Sequence, residues 1–143
     1  MRAGGIILAA ALILFAACAK PTLPEGTSVN LETVLSSGIA AKCDVVVENA
    51  KATIFFSGKR SRIETQTPQG TGYLLNDGTT LYAWAGSNGV KLSLAEAKRL
   101  GAEAPKGPEE IVAAATSASC VVASIPESTF APPANVQFQE VAS

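Results

Sequence analysis

Residues 42–92 read KCDVVVENAKATIFFSGKRSRIETQTPQGTGYLLNDGTTLYAWAGSNGVKL, and the alternation within them decides the fold. Cys43, Val45 and Val47 alternate with Asp44, Val46 and Glu48, then Ala52, Ile54 and Phe56 alternate with Thr53 and Phe55. A period of two sends successive side chains to opposite sides of an extended chain, so both runs are strands, with Asn49–Lys51 turning between them. A tight turn near Gly58 leads into a more polar strand, Arg60–Gln66, which Pro68-Gln69-Gly70 ends. Thr71–Leu75 and Thr79–Ala85 flank Asn76-Asp77-Gly78, residues that tolerate the positive φ of tight hairpin turns. Gly86-Ser87-Asn88-Gly89 then turns the chain into a short strand, Val90–Leu92. The centre of the chain is an antiparallel meander.

Short helices flank it. Asn30 caps one through Leu31, Val34 and Leu35, and Gly38 stops it. Its apolar face is narrow, so it needs a sheet to lie on. On the other side Ser93 and Glu96 have capping-box spacing for a helix carrying Leu94, Ala97, Lys98 and Leu100, which Gly101 ends. After a loop at Ala104–Gly107, a further helix runs from Pro108 through Ile111 and Val112 to Ala115, with Glu109-Glu110 near its positive end. Ser119–Ser124 resumes strand character around Cys120, and Val136–Phe138 is a final edge strand after Pro132-Pro133. The strands number about seven.

The N-terminus has a different character: a lone Arg2, an apolar run from Ile6 to Phe15, then Ala16, Ala17 and Cys18. A positive start, an apolar centre of about 7 to 15 residues and small residues at the cut describe a secretory signal peptide. The apolar run is short for a bilayer-crossing helix, which needs roughly 20 residues. Phe15-Ala16-Ala17-Cys18 resembles the lipobox of bacterial and archaeal lipoproteins, with Phe15 where leucine is usual. The resemblance implies cleavage before Cys18 and lipidation of its sulfur: a leader over 1–17, a lipidated cysteine and tether over 18–29, and a single domain over 30–143. Ordinary cleavage after Ala19, discarding Cys18, is the alternative. The expected location is the extracytoplasmic side of a cell-envelope membrane, with the membrane itself as partner through Cys18.

Export leaves Cys43 and Cys120 as an even pair in a compartment where disulfides persist, so they are expected to be bonded, with two buried thiols as the alternative. No histidine and no close cysteine pair is present to build a zinc site, so neither metal nor other cofactor is expected. Without residues 1–17 the chain has 126 of its 143 residues, enough for one sizeable core. A net charge of −1 gives no basic surface of the kind nucleic acid requires.

Three segments, Gly58-Lys59-Arg60-Ser61-Arg62, Asn76 through Trp84 and Gly89-Val90-Lys91-Leu92, follow a pattern that resembles small exported lipoproteins whose sheet is similar to the half-barrel of the Lol-type lipoprotein carriers. The tail from Cys120 through Phe130-Ala131-Pro132-Pro133 to Phe138 resembles their closing segment. The resemblance implies an α+β fold: a curved antiparallel sheet, half-barrel-like, with short helices covering one face and an apolar hollow able to hold an acyl chain or other hydrophobic ligand.

Tyr82 and Trp84 share one face of their strand and are candidates, with Phe56, for lining such a hollow. The same spacing also suits plain core. Lys59, Arg60 and Arg62 put three cations in four positions, suited to anionic headgroups or a partner; charges on an edge strand also discourage unwanted pairing. Catalysis is not expected, because the chain has no histidine to serve a nucleophile and no phosphate-binding glycine loop. The expected role is binding or shuttling a lipid or other hydrophobic molecule at a membrane surface. A structural or protein-interaction module of the envelope is the alternative.

Overall fold

The computed structural model describes residues 22–101 and 107–141. The meander forms as its alternation predicts, with each strand starting within a residue or two of its expected position: β2 (Ala41–Val47), β3 (Ala50–Ser57), β4 (Arg60–Thr67), β5 (Gly70–Asn76), β6 (Thr80–Ala85) and β7 (Asn88–Ser93). Before it come β1 (Ser28–Val29) and α1 (Leu31–Ser37); after it come α2 (Leu94–Leu100), α3 (Pro108–Ala113), β8 (Ser117–Val122), a 3-10 turn at Glu127–Phe130 and β9 (Gln137–Glu140). The strands lie in one open sheet in the order β1-β8-β2-β3-β4-β5-β6-β7-β9.

Local chemistry sets the helix ends. Asn30 Oδ1 accepts from the Thr33 N–H at 2.7 Å, and Gly38 takes the left-handed conformation (φ 68°) that closes α1. Ser93 Oγ accepts from the Glu96 N–H at 3.1 Å to start α2.

Two departures from the expected sheet have physical causes. Alternation predicts antiparallel pairing throughout, yet β9 runs parallel to β7, from Asn88 opposite Gln137 to Lys91 opposite Glu140. The chain leaves β8 near one edge of the sheet and crosses a whole face before reaching β7 at the other, and only so long a connection permits parallel pairing. The second departure is β1: Ser28 and Val29 pair with Val121 and Cys120, so the tether gives way to the sheet before residue 30.

Residues in register share a face, which sorts the core into two parts. Cys43, Ile54, Ile63 and Leu74 form a row across β2 to β5. Val34 of α1 and Ile111 and Val112 of α3 close over it, leaving Ile54 fully buried. Each such aliphatic side chain contributes roughly 1.5–3 kcal/mol when taken from water. Cys43 and Cys120 face each other across β2 and β8 and are joined by a disulfide, at a sequence separation of 77.

On the opposite face Leu75, Trp84, Phe130 and Val136 form a second cluster. Its cover is the irregular segment that follows β8. Gly89 matters here: a Cβ on it would stand 2.7 Å from Phe138 Cε1 and from Trp84 Cβ, so the missing side chain leaves the slot in which Phe138 lies. The helices thus occupy one face of the sheet, and the chain's own tail occupies the other.

Candidate functional site

The helix-bearing face is incompletely covered. Between α1, α2 and the start of α3 lies a trough of about 350 Å³, near the lower end of ligand-pocket sizes. Its floor is the row Phe56, Ser61, Asn76 and Leu81, which the strand registers place side by side across β3 to β6. Leu35, Leu94 and Pro108 form its walls, and Leu74 lies one row further in. The turn at Gly58-Lys59 sits at its mouth; Gly58 has φ 62°, a value that favours glycine at a tight hairpin turn.

The lining of this trough is mixed in polarity. Ser61 is the buried polar residue among the described ones, and Asn76 Oδ1 accepts from the Gly78 N–H at 2.9 Å. Leu74 is apolar and half-buried, and its row continues outside the trough through half-buried Ala83 to Val90, which is 41% exposed. Apolar surface therefore continues from beneath the helices out towards β7.

The structure divides the three aromatic candidates. Phe56 is buried in the trough floor, but Tyr82 and Trp84 are on the other face. Trp84 stacks on Tyr73 with ring centroids 5.0 Å apart and meets Phe138 edge-on at 5.7 Å. It is buried in the second cluster beneath the tail and also borders a hollow of about 370 Å³ with Arg62, Tyr73 and Val136. Tyr82 also meets Phe138 edge-on, at 5.1 Å. Burial, and then the negative charge of Asp77, push the Tyr82 hydroxyl above its ordinary pKa. Burial opposes ionisation of Asp77 itself, but N–H donors from Thr79 at 2.9 Å and Thr80 at 2.8 Å outweigh it and hold the carboxyl below its usual range. These bonds lock the hairpin turn.

The cationic candidates separate in the same way. Lys59 is exposed at the mouth of the trough and has no ion pair among the described residues. Arg60 lines the trough beside Lys59, but its guanidinium reaches the tail side, where it grips the Glu127 carboxylate and lies 4.6 Å from the centre of the Phe130 ring. Arg62 lies over Tyr73 and Trp84, at 5.4 and 5.5 Å, and its Nη1 donates to the Thr129 carbonyl at 3.4 Å. Its Nε is 3.0 Å from Glu64 Oε1 without a directed hydrogen bond, so that contact is Coulombic. Both arginines fasten the tail over the second cluster. Cys18 lies outside the described residues.

The hydrogen bond from Arg60 holds the Glu127 carboxyl below its ordinary pKa. A depressed carboxyl stabilises the fold above its unfolded pKa, and the contribution disappears as pH falls through the folded value. Glu127→Gln is accordingly expected to melt below the parent at neutral pH and to converge with it in acid. Paired melting curves over that range check this, and added salt should shrink the gap because the pair is exposed.

Sequence reasoning did not find Leu35, Leu81, Leu94 and Pro108 as trough residues. The alternation placed Leu81 on a face, but nothing local showed which helices would stand over it. Among the described residues, no group of three or more metal-ligating side chains is arranged to hold an ion, and no helix is long and apolar enough to cross a membrane. Comparison with protein-family models, with curated proteins and with solved structures returned no match.

Proposed function

We propose that this chain is an exported lipoprotein, anchored through Cys18, whose domain holds a lipid or other hydrophobic molecule in the trough of the helix-bearing face. The observation that carries the reading is the mixed lining of the trough: Leu35, Phe56, Leu74, Leu81 and Leu94 supply apolar surface, with Ser61, Asn76, Lys59, Arg60 and Glu109 as its polar groups. Ligand sites are mostly apolar with a few placed polar groups, and this arrangement suits an amphiphile with its tail inward and its head at the mouth. The proposal treats the sheet as half-barrel-like, with the helices as partial cover. Each methylene taken from water contributes about 0.8 kcal/mol, so retention is expected to strengthen with the length of acyl tail the trough can cover.

Purification from membranes, followed by intact-mass and native mass spectrometry, tests both parts. The expected result is a chain cut before Cys18, carrying acyl chains, with one further hydrophobic molecule retained under native conditions. Leu81→Trp, which fills the trough from its floor, is expected to abolish that retention while the disulfide and the fold persist, at an overpacking penalty of about 1–3 kcal/mol. A lipidated chain that never retains a ligand would transfer the reading to an envelope interaction module, and an unlipidated chain would remove the anchor.

A further inference from the structure

The two ends of the sheet differ. One end carries the turns at 48–49, 68–69 and 86–87, which are polar or small. The other carries the mouth of the trough and, beside it, a second hollow of about 380 Å³ whose lining includes Leu23, Ile39 and Val122. The two hollows meet where Gly58 N donates to the Gly38 carbonyl at 3.1 Å, with Leu35 on one side of that contact and Leu23 on the other. Leu23 and Leu35 are each 38% exposed, two of the few large apolar side chains left in water.

We propose that this end of the domain, carrying Leu23, Leu35 and Lys59, is a docking surface for a lipid bilayer, so that the mouth of the trough opens onto the membrane. The proposal rests on the reading of Cys18 as the lipid attachment point. Cys18 precedes Thr22 by four residues, a reach of about 14 Å at full extension. The strands that separate the two ends are up to eight residues long, about 25 Å. A tether shorter than the body it holds turns the near end towards the bilayer, and Thr22 is at the apolar end.

The charges agree. Lys59 faces outward without an ion pair among the described residues, free to meet anionic headgroups. Of the acids nearby, Glu127 is held by Arg60 and Asp77 is locked in its turn, while Glu25 lines the second hollow, accepting from the Ser124 N–H at 3.4 Å, and Glu109 lines the trough with its carboxylate against Gly107. Apolar side chains flanking an outward cation suit an interface between headgroups and acyl chains. A ligand could then pass between membrane and trough without crossing open water.

Depth-dependent tryptophan quenching tests the orientation. Full-length protein is purified from membranes, its intact mass is measured, and it is placed in phosphatidylethanolamine–phosphatidylglycerol vesicles with plain or brominated acyl chains. Trp84 supplies the same background throughout. Leu35→Trp adds a probe at the docking end and Gln69→Trp adds one at the far turn; Leu23→Trp is a second near-end probe should Leu35→Trp fold poorly. With side chains about 5–10 Å into the interface, the near-end probes are expected to lose about half of their added emission to bromine, and the far probe almost none. A lipidated protein with both ends quenched equally, or neither, overturns the docking surface while leaving the anchor intact. A mass without acyl chains overturns the anchor and the docking surface with it.

Discussion

Replacing both Cys43 and Cys120 with alanine is expected to lower the unfolding free energy by about 4 kcal/mol, because the bond closes a long loop in the unfolded chain. The sequence separation is 77, and the two residues face each other where β8 is inserted beside β2. That pairing is among the least local in the sheet, exceeded only by that of β1 with the same strand. To make it, the chain must leave β7, cross the helix-bearing face through α2 and α3, and arrive between β1 and β2. A cross-link at this point spares the folding chain most of the entropy of that search. Both sulfurs also sit within the core, with Cys43 fully buried beneath α1, so alanine leaves unfilled space as well. Small domains have total stabilities of about 5–15 kcal/mol, so the loss is a large fraction of the whole. Urea titration of the double variant against the parent measures it, and the slope should rise as the uncross-linked unfolded chain exposes more surface. A change below about 1 kcal/mol would mean that strand pairing alone fixes β8 and that the loop-closure argument is wrong.

The elements legible in the sequence are those whose cause is local. Asn30 and Gly38 bound α1, and Ser93 starts α2, because capping is decided within a few residues. The Asn76-Asp77-Gly78 hairpin forms for the same reason. Register is a different matter. Phe56 and Trp84 each have a clear parity within their own strands, but a slip of one residue in any hairpin between them would exchange their faces. Only the observed pairings, Phe56 with Ser61, Ser61 with Asn76 and Tyr73 with Trp84, put them on opposite sides. The roles of Arg60 and Arg62 were hidden likewise, since each grips residues 67 positions further along the chain. Two-residue strands such as β1 have no period to read, and a parallel edge such as β9 depends on where the tail crosses.

Trp84 is where that distinction has the largest consequence. Its ring is 7% exposed, stacked on Tyr73, met edge-on by Phe138 and overlain by the Arg62 guanidinium. Trp84→Ala is expected to destabilise the domain by about 3–5 kcal/mol, the usual penalty for emptying an aromatic site in a core. The damage should be one-sided. Phe130, Val136 and Phe138 reach the sheet largely through this cluster, so the tail from Ile125 to β9 loses its seat while the disulfide-bonded core under α1 and α3 keeps its contacts. Hydrogen exchange should therefore accelerate first over residues 125–140, well before β2 and β3 respond. Arg62 would lose one of its two aromatic partners, keeping Tyr73, and the ion pair with Glu64 would become more exposed to water. Ligand retention gives the sharper contrast. Because the trough lies on the opposite face, Trp84→Ala should keep any retained hydrophobic molecule in the folded fraction, whereas Leu81→Trp should lose it with far less damage to stability. The reverse outcome, with retention lost on removing Trp84 and preserved on filling the trough, would move the ligand to the tail side of the sheet and make Tyr82 and Trp84 its lining.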